Sequence, residues 1–341
     1  MRPKGKATSF DIAYLAGVSQ PTVSRALRGS PTVNEETRKR ILQIAHDLNY
    51  KVDKNASNLR RLQSGTLALL FFEDPTLDDS LINPFFLSML GSLTRACALQ
   101  GYDLLISFQQ LSNNWHADYQ DSNKADGLIL LGYGDYVEYR TRLEQLVQQG
   151  THFVRWGAVL PDQPGVSIGC DNLQGGRDIT RHLLERGRRS IAFIGDASEH
   201  CPEFLERYRG YAQSLTEAGC EVQASLRAAA ISTETSGYNA ITELLSRNVR
   251  FDAIVCASDL IAIGAMRALH ERGLRVPEDV AVAGFDDIPM ASFANPGLTT
   301  VQQDTKAAAA LLVETLLALI HGETVESQKL PAVLVVRESS R

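Results

Sequence analysis

Residues 11–27 read DIAYLAGVSQPTVSRAL and residues 33–50 read VNEETRKRILQIAHDLNY; together they decide how the chain begins. Thr8 stands three residues ahead of Asp11, a capping pattern that opens a first helix. Ile12, Ala13, Leu15 and Ala16 supply its apolar packing residues. Gly17 breaks that helix and Ser19 caps a second. The second helix runs from Gln20 to Leu27, with Pro21 in its first turn, where a missing N–H is harmless. Val18, Val23 and Leu27 point toward one core, while Gln20, Thr22, Ser24, Arg25 and Arg28 remain available for a groove. Gly29, Ser30 and Pro31 end the element, and a third helix over about 34–48 turns Ile41, Leu42, Ala45 and Leu48 inward. This is a helix-turn-helix pattern. Its second helix can enter a DNA major groove while its N-terminus and nearby hydroxyls contact phosphate. Periodicity alone leaves open a solvated or protein-binding three-helix module.

Charge supports the nucleic-acid reading. The 341 residues carry a net charge of −6, which is unpromising for a DNA binder. The average hides a split: residues 1–61 hold 12 Lys and Arg against 5 Asp and Glu, or +7, and the remainder holds 22 against 35, or −13. A small basic head precedes a large acidic body. The length predicts two or three domains, and 44% hydrophobic residues exclude a disordered chain. Cys97, Cys170, Cys201, Cys220 and Cys256 are odd in number and widely spaced, so they form neither a disulfide framework nor a metal-ligand pattern. They read as reduced thiols in the cytoplasm. The basic N-terminal tip lacks an apolar run, and the apolar runs at 67–72 and 128–131 are too short to span a bilayer. A cytoplasmic, nucleoid-associated protein without a membrane role is expected.

The two quoted stretches, in this spacing and without a gap over 11–50, resemble the N-terminus of the lactose/galactose repressor family. The resemblance implies a helix-turn-helix domain over 1–51, a hinge over 52–63 and an effector-binding and dimerisation domain over 64–341. It makes Gln20, Pro21 and Arg25 the base readers, and Thr8, Ser19, Thr22, Ser24 and Asn34 the phosphate-contacting or cap positions. Pro21 offers only apolar contact, such as to a thymine methyl, so operator choice leans on Gln20, Arg25 and the minor groove. Residues 53–61, DKNASNLRR, match the family's hinge helix, which is marginal alone and folds on operator binding. There Ala56 matches the small residue, and Leu59 the leucine wedged into the central base step. Val52 and Asp53 replace a common Pro-Asn and Ser57 a common Arg, leaving Lys54, Arg60 and Arg61 for phosphate.

From Thr66 the pattern changes to short apolar strands alternating with helices: TLALLFF, YDLLISF, ADGLILLG, SIAFIG, FDAIVCAS and VAVAGFDD. Repeated β-α units of this length predict an α/β body of two Rossmann-like lobes with parallel sheets. No GxGxxG or GxxxxGK[ST] follows a strand, which argues against a nucleotide-cofactor enzyme, and no cofactor is expected. Family-like phrases continue through INPFF at 82–86, CDNLQGG at 170–176, ERYRGY at 206–211, the long run at 258–287 and LTTVQQD at 298–304. The resemblance implies a periplasmic-binding-protein-like body. Its N-lobe would be about 64–163 and 293–322 and its C-lobe about 164–292 and 327–341, with the effector in the cleft between them.

On that match Arg207 is the key effector arginine, able to fork onto two sugar hydroxyls. A surface salt bridge with Glu203 or Glu206 is its plainer reading. Asp286 is an acidic ligand residue at the C-terminal end of a strand, where ligands of such sheets sit; Asp287 is the weaker choice. Ser258 stands where Asn often contacts effector, and Asp259 reads as a helix cap. Asp171 and Gln303 are further effector positions whose plainer role is fixing the cleft and hinge backbone. Phe85, Trp156 and Phe285 are candidates to stack on a pyranose face, with Phe86 and Tyr133 also in view. Trp115, Tyr119, Tyr136 and Tyr139 have no clear placement, and the acidic stretch 72–80 is longer than the family's. No nucleophile or paired acid and base is evident, so catalysis is not expected. A sugar-released repressor binding a pseudo-palindromic operator as a homodimer is expected, its effector a mono- or disaccharide. The helices near 84–99 and 260–272 are candidates for the body-body interface. A corepressor-type regulator with a purine effector, an activator, and a stand-alone sugar-binding module are the alternatives.

Overall fold

A computed structural model describes residues 7–27, 29–50, 63–72, 82–109, 113–132 and 134–341. The hinge stretch with Ala56 and Leu59, Tyr133, and all but Phe72 of the acidic stretch lie outside these residues. The chain divides into two units, Met1–Ser64 and Gly65–Arg341.

In the first unit, α1 spans Ser9–Ala16, α2 Gln20–Leu27 and α3 Glu35–Asp47. Thr8 and Asp11 form a reciprocal capping box, and Gly17 ends α1 in the left-handed conformation at φ 65°. The core gathers Ile12, Ala13, Ala16, Val23, Ala26, Val33, Ile41 and Ala45, with Val18, Leu27 and Leu48 packed against it. Leu15 and Leu42, expected inside, are exposed. On α3, Ile41, Ala45 and Leu48 repeat at the helical period, and Leu42 falls about 100° off that stripe. The same geometry turns Phe10, Tyr14 and Leu15 outward on α1.

The second unit holds two parallel sheets. The first has the order β11-β5-β4-β3-β1-β2, with β1 at Thr66–Phe71, β2 at Asp103–Phe108, β3 at Gly127–Leu131, β4 at Phe153–Trp156, β5 at Val166–Cys170 and β11 at Gln328–Leu330. Strands such as TLALLF and GLILL are apolar throughout because the sheet is covered on both faces. Helices α4 (Pro84–Leu99), α5 (Tyr136–Gln148) and α11 (Thr305–Ile320) belong to this lobe. The second sheet has the order β7-β6-β8-β9, with β6 at Ile191–Ile194, β7 at Arg227–Ala228, β8 at Ala253–Cys256 and β9 at Ala281–Ala283. Parallel bridges Ala283–Thr299 and Asp286–Gln302 attach β10 (Thr300–Gln303), which pairs antiparallel with β12 (Ala332–Val335). Helices α6 (Asn172–Glu185), α7 (Pro202–Glu217), α8 (Glu234–Ser246) and α9 (Asp259–Glu271) cover it, with the short α10 (Pro289–Phe293) beside the cleft.

Strand pairing moves the lobe boundaries from those expected. β5 pairs with β4, and β11 with β5, so the first lobe runs on through Cys170 and returns over 305–330. Residues 293–303 belong to the second lobe through β10. The boundary expected at 163/164 falls in the loop over 157–165, which joins β4 to β5 within the first sheet. The crossings come where one segment leaves one sheet and enters the other lobe. They lie side by side: Asp171 N donates to Leu330 O at 2.9 Å, and Gln303 pairs with Ala332. Asp171 and Asp304 cap the helices that follow the first two crossings.

Candidate functional site

In the helix-turn-helix unit the candidate contact residues cluster around α2. Ser19 and Thr22 hydroxyls lie 2.9 Å apart at its start, and the Ser19 carbonyl accepts from Thr22 N and Val23 N. Gln20 Nε2 donates to Ser9 Oγ at 3.2 Å, which ties α2 to the start of α1. Pro21 and Arg25 are exposed, while Thr22 and Ser24 are half-buried. Asn34 caps α3, its Oδ1 accepting from Thr37 N at 2.8 Å, and Thr8 does the same for α1. Thr8 and Asn34 therefore hold helix ends in place, and Gln20, Pro21 and Arg25 share the outer side of α2.

Four of the body's candidates, Arg207, Asp286, Gln303 and Phe285, meet in one buried network of the second lobe. Arg207 is 1% exposed. Its Nε donates to Asn172 Oδ1 at 2.8 Å, and its Nη1 donates to the carbonyl of Ala257. The same Nη1 lies 3.5 Å from Asp286 Oδ1. The guanidinium stacks on Phe285 at 3.7 Å from the ring centroid. The salt bridge to Glu203 or Glu206 weighed from sequence does not form: Glu206 pairs with Arg209, and Glu203 Oε1 accepts from Ala158 N.

Two glycines explain how α7 brings Arg207 so close to α6. A Cβ on Gly176 would strike the carbonyl of Arg207, and one on Gly210 the carbonyl of Leu173. The helix backbones touch at this crossing, which puts Asn172 within reach of the guanidinium.

Asp286 follows β9 at φ 118° and is 3% exposed. Gln303 Nε2 donates to its Oδ1 at 2.6 Å. Burial pushes its carboxyl up to about 6, against the opposing pull of Arg207 and Gln303. Asp259 does not cap α9. Ser258 is the cap, and the Asp259 carboxylate accepts from Ile288 N at 2.9 Å and Thr300 Oγ1 at 2.5 Å. Burial and the nearby Asp286 charge push Asp259 well above the usual carboxylate range. Asp287, the weaker ligand choice, is held by Arg337 at 2.7 Å and Gln302 at 3.0 Å.

The remaining sequence candidates divide. Ser258 is buried, and its hydroxyl accepts from Ser232 Oγ at 2.8 Å. Phe85 packs on Phe86 and Trp156, so all three rings enter the apolar core. Phe285 is also buried, and Arg207 covers its face. Asp171 is half-buried at a crossing and caps α6 rather than joining the Arg207 network.

Three groups that sequence reasoning missed also join the lobes. Asn83 Nδ2 donates to Ser232 Oγ at 3.1 Å. Tyr136 N donates to His200 O at 2.9 Å, and His200 Nδ1 lies 2.7 Å from Asp135 Oδ2. Asn83 was legible as the cap ahead of Pro84 in INPFF; the Asp135–His200 pair is separated by 65 positions and carries no local signal. Among the described residues no group of three His, Cys, Asp or Glu side chains could hold a metal, and no helix is long and apolar enough to cross a membrane. All five cysteines are free.

The polar, donor-rich cleft and the helical unit ahead of it agree with the comparisons. Residues 10–53 match the model of bacterial regulatory proteins of the lacI family, and residues 180–340 match a periplasmic binding protein-like domain. The HTH-type transcriptional regulator CelR of Thermobifida fusca is 32% identical over 99% of this chain and 100% of its own length. The solved complex of the transcriptional regulator CelR with cellobiose aligns over 98% of this chain and 99% of that one, with a TM-score of 0.71 and 31% identity. The lac repressor dimer bound to operator and the anti-inducer ONPF aligns over 98% and 99%, with a TM-score of 0.82 and 25% identity. The chain belongs to the lacI family of bacterial regulatory proteins and is a DNA-binding transcriptional regulator.

Proposed function

We propose that this protein is a repressor released from a pseudo-palindromic operator by a sugar bound between its lobes. The observation that carries this reading is the buried network of Arg207, Asp286, Gln303 and Asn172. It offers donors and acceptors on the second lobe's side of the cleft, beside the crossing at Gln303, and Asn83 reaches it from the first lobe through Ser232 and Ser258. Arg207 forks onto hydroxyls, Asp286 accepts their protons, and Ser258 and Gln303 supply further polar contacts. Phe285 becomes a stacking face once the guanidinium turns to the ligand. Ligand binding shifts the lobe arrangement and weakens operator binding, and the operator must weaken ligand binding by the same factor. Relatives that bind cellobiose, or an operator as a dimer, favour the same chemistry here.

On DNA, Gln20 and Arg25 read base edges, Pro21 makes apolar contact, and Ser19, Thr22 and Ser24 meet phosphate. Thr8 and Asn34 position the helices that carry them. Ala56 and Leu59 keep the hinge roles expected from the family. A homodimer presents two such units to two half-sites.

The body carries a surface suited to a second copy. β2 is an edge strand with Leu105, Ile106 and Phe108 exposed, and Leu87 on α4 is exposed near it. Phe293 on α10, from the other lobe, is 85% exposed. Between α4 and α10 lies a pocket of about 450 Å³, lined by Phe85, Ser88, Pro289 and Ser292 together with Asp286 and Gln303. α9, the other helix considered for an interface, is mostly buried by its own lobe.

The test selects a duplex from a random pool with the full-length protein, then titrates it in the presence of mono- and disaccharides. A sugar that lowers operator affinity supports the reading. No effect from any sugar removes the sugar-release proposal, and a ligand that raises affinity reverses its sign.

A further inference from the structure

Gln20 opens α2 as one of its base-reading positions, yet its amide is engaged before any DNA arrives. Its Nε2 donates to Ser9 Oγ at 3.2 Å, from one helix start to the other. Both residues are half-buried, so the bond is partly shielded from water while the amide still reaches the surface.

The backbone at each end of this bond is held. Ser9 follows the Thr8 cap, where Thr8 N donates to Asp11 Oδ2 at 2.7 Å and Asp11 N donates to Thr8 Oγ1 at 3.3 Å. Gln20 follows Ser19, whose carbonyl accepts from Thr22 N at 2.9 Å and Val23 N at 3.1 Å. Between them Val18 N donates to Ala13 O at 3.1 Å, and Ile12, Ala16 and Val23 pack in the core beneath. A free glutamine side chain loses rotamer entropy when it docks on a base; this tether removes part of that loss in advance.

The tether also decides which groups are left. A glutamine amide has two N–H donors and one carbonyl oxygen. Ser9 takes one N–H, leaving one donor beside one acceptor. In the major groove adenine presents its N7 acceptor next to its N6 amino donor, the complement of that pair. Guanine presents two acceptors, N7 and O6, and needs two donors. Against guanine the tethered amide makes one bond and sets its carbonyl oxygen against O6.

We propose that Ser9 is a positioning residue for base reading: it orients the Gln20 amide so that the groups left free select adenine over guanine. This inference rests on the reading of Gln20 as a base contact.

The test is selection of duplexes from a random pool with the full-length wild type, Gln20→Ala, Ser9→Ala and Ser9→Thr. Fluorescence anisotropy on duplexes differing at one base pair then gives the affinities. The position whose preference Gln20→Ala loses is the one Gln20 reads. There the wild type should select A·T, and Ser9→Ala should lower the ratio of A·T to G·C affinity about three- to tenfold, the worth of one hydrogen bond. Preferences at other positions and the Tm without DNA stay unchanged, and Ser9→Thr, which keeps the hydroxyl, retains the ratio. An unchanged ratio in Ser9→Ala, or selection of a pair other than A·T by the wild type, overturns the positioning role while leaving Gln20 a reader. A uniform loss of affinity on all duplexes with a lower Tm assigns Ser9 a structural role and also overturns it. If Gln20→Ala alters no preference, Gln20 is not a reader and the positioning role falls with it.

Discussion

The helix-turn-helix unit and the two-lobed body handle polar groups in opposite ways. In the first, Pro21 and Arg25 stand exposed on α2, and the core beneath is made of small and branched apolar residues. In the body, Arg207, Asp286, Ser258 and Gln303 are all nearly inaccessible and hydrogen-bonded to other buried groups. A surface that meets phosphate keeps its groups hydrated until contact, and loses little by waiting. A cleft that responds to a small ligand instead holds its groups in a paired resting arrangement, which the ligand must replace. The difference teaches where each function is vulnerable: DNA binding to screening, and the effector response to single substitutions in a buried network.

Salt separates the two regions most strongly. A dimer making six to ten phosphate contacts loses about 10³–10⁵ in operator affinity between 50 and 200 mM salt. Sugar affinity of the body should change little over that range, since buried pairs are poorly screened. Fluorescence anisotropy for DNA and calorimetry for sugar check this. Equal salt sensitivity breaks the comparison.

Arg207→Ala is the next largest effect. It leaves the Asp286 carboxyl buried without its cation and should cost about 3–5 kcal/mol of body stability by denaturant titration. It should also abolish the sugar response while a folded fraction still binds DNA. Arg207→Met, which keeps the packing on Phe285, separates loss of charge from loss of volume. A response that survives both variants would mean that the cleft has been placed wrongly.

The pH dependence sharpens the same point. The Asp286 carboxyl sits at about 6 in the folded body against an ordinary 3.8, so the folded state keeps a proton the unfolded chain has released. This stabilisation is complete below pH 3.8 and fades as pH rises through about 6. Asp259 is shifted in the same direction, so Asp286→Asn should reduce the slope of body stability between those values without removing it. Thermal melts of the variant and wild type across that window check the difference. An unchanged slope would show that Asp286 is not the group titrating.

The smallest effect belongs to the first unit. Asn34→Ala removes the α3 cap and should cost about 1 kcal/mol of its stability. A capping role predicts that this loss appears in melts without DNA. Unchanged stability with weaker DNA binding would instead make Asn34 a direct phosphate contact.

These two regions were also unequally legible. The first unit is built from local signals: a capping pair at Thr8 and Asp11, a glycine break at Gly17 and an early Pro21 all sit within a few residues of what they control. Only Leu15 and Leu42 face otherwise than expected, because each lies off the apolar stripe that the helical period draws. In the body the alternation of strands and helices was visible, but the crossings were not. Two of them, at Asp171 and Asp304, carry no Pro or Gly and the third only Pro331, whereas the Pro- and Gly-containing loop over 157–165 stays within one sheet. Arg207 and Asp286 could be picked out because they sit in recognisable phrases, ERYRGY and VAVAGFDD. The Asp135–His200 pair could not, since only the tertiary fold brings together residues 65 positions apart.

The central claim is that a ligand in the body controls a DNA contact made by the helix-turn-helix unit. The most direct measurement is the operator dissociation constant of the full-length protein at fixed salt, with and without a saturating sugar, in the wild type and in Arg207→Met. Weaker operator binding with sugar in the wild type, and no change in the variant, is the expected result. An operator affinity indifferent to every sugar, or a variant that responds like the wild type, would contradict it.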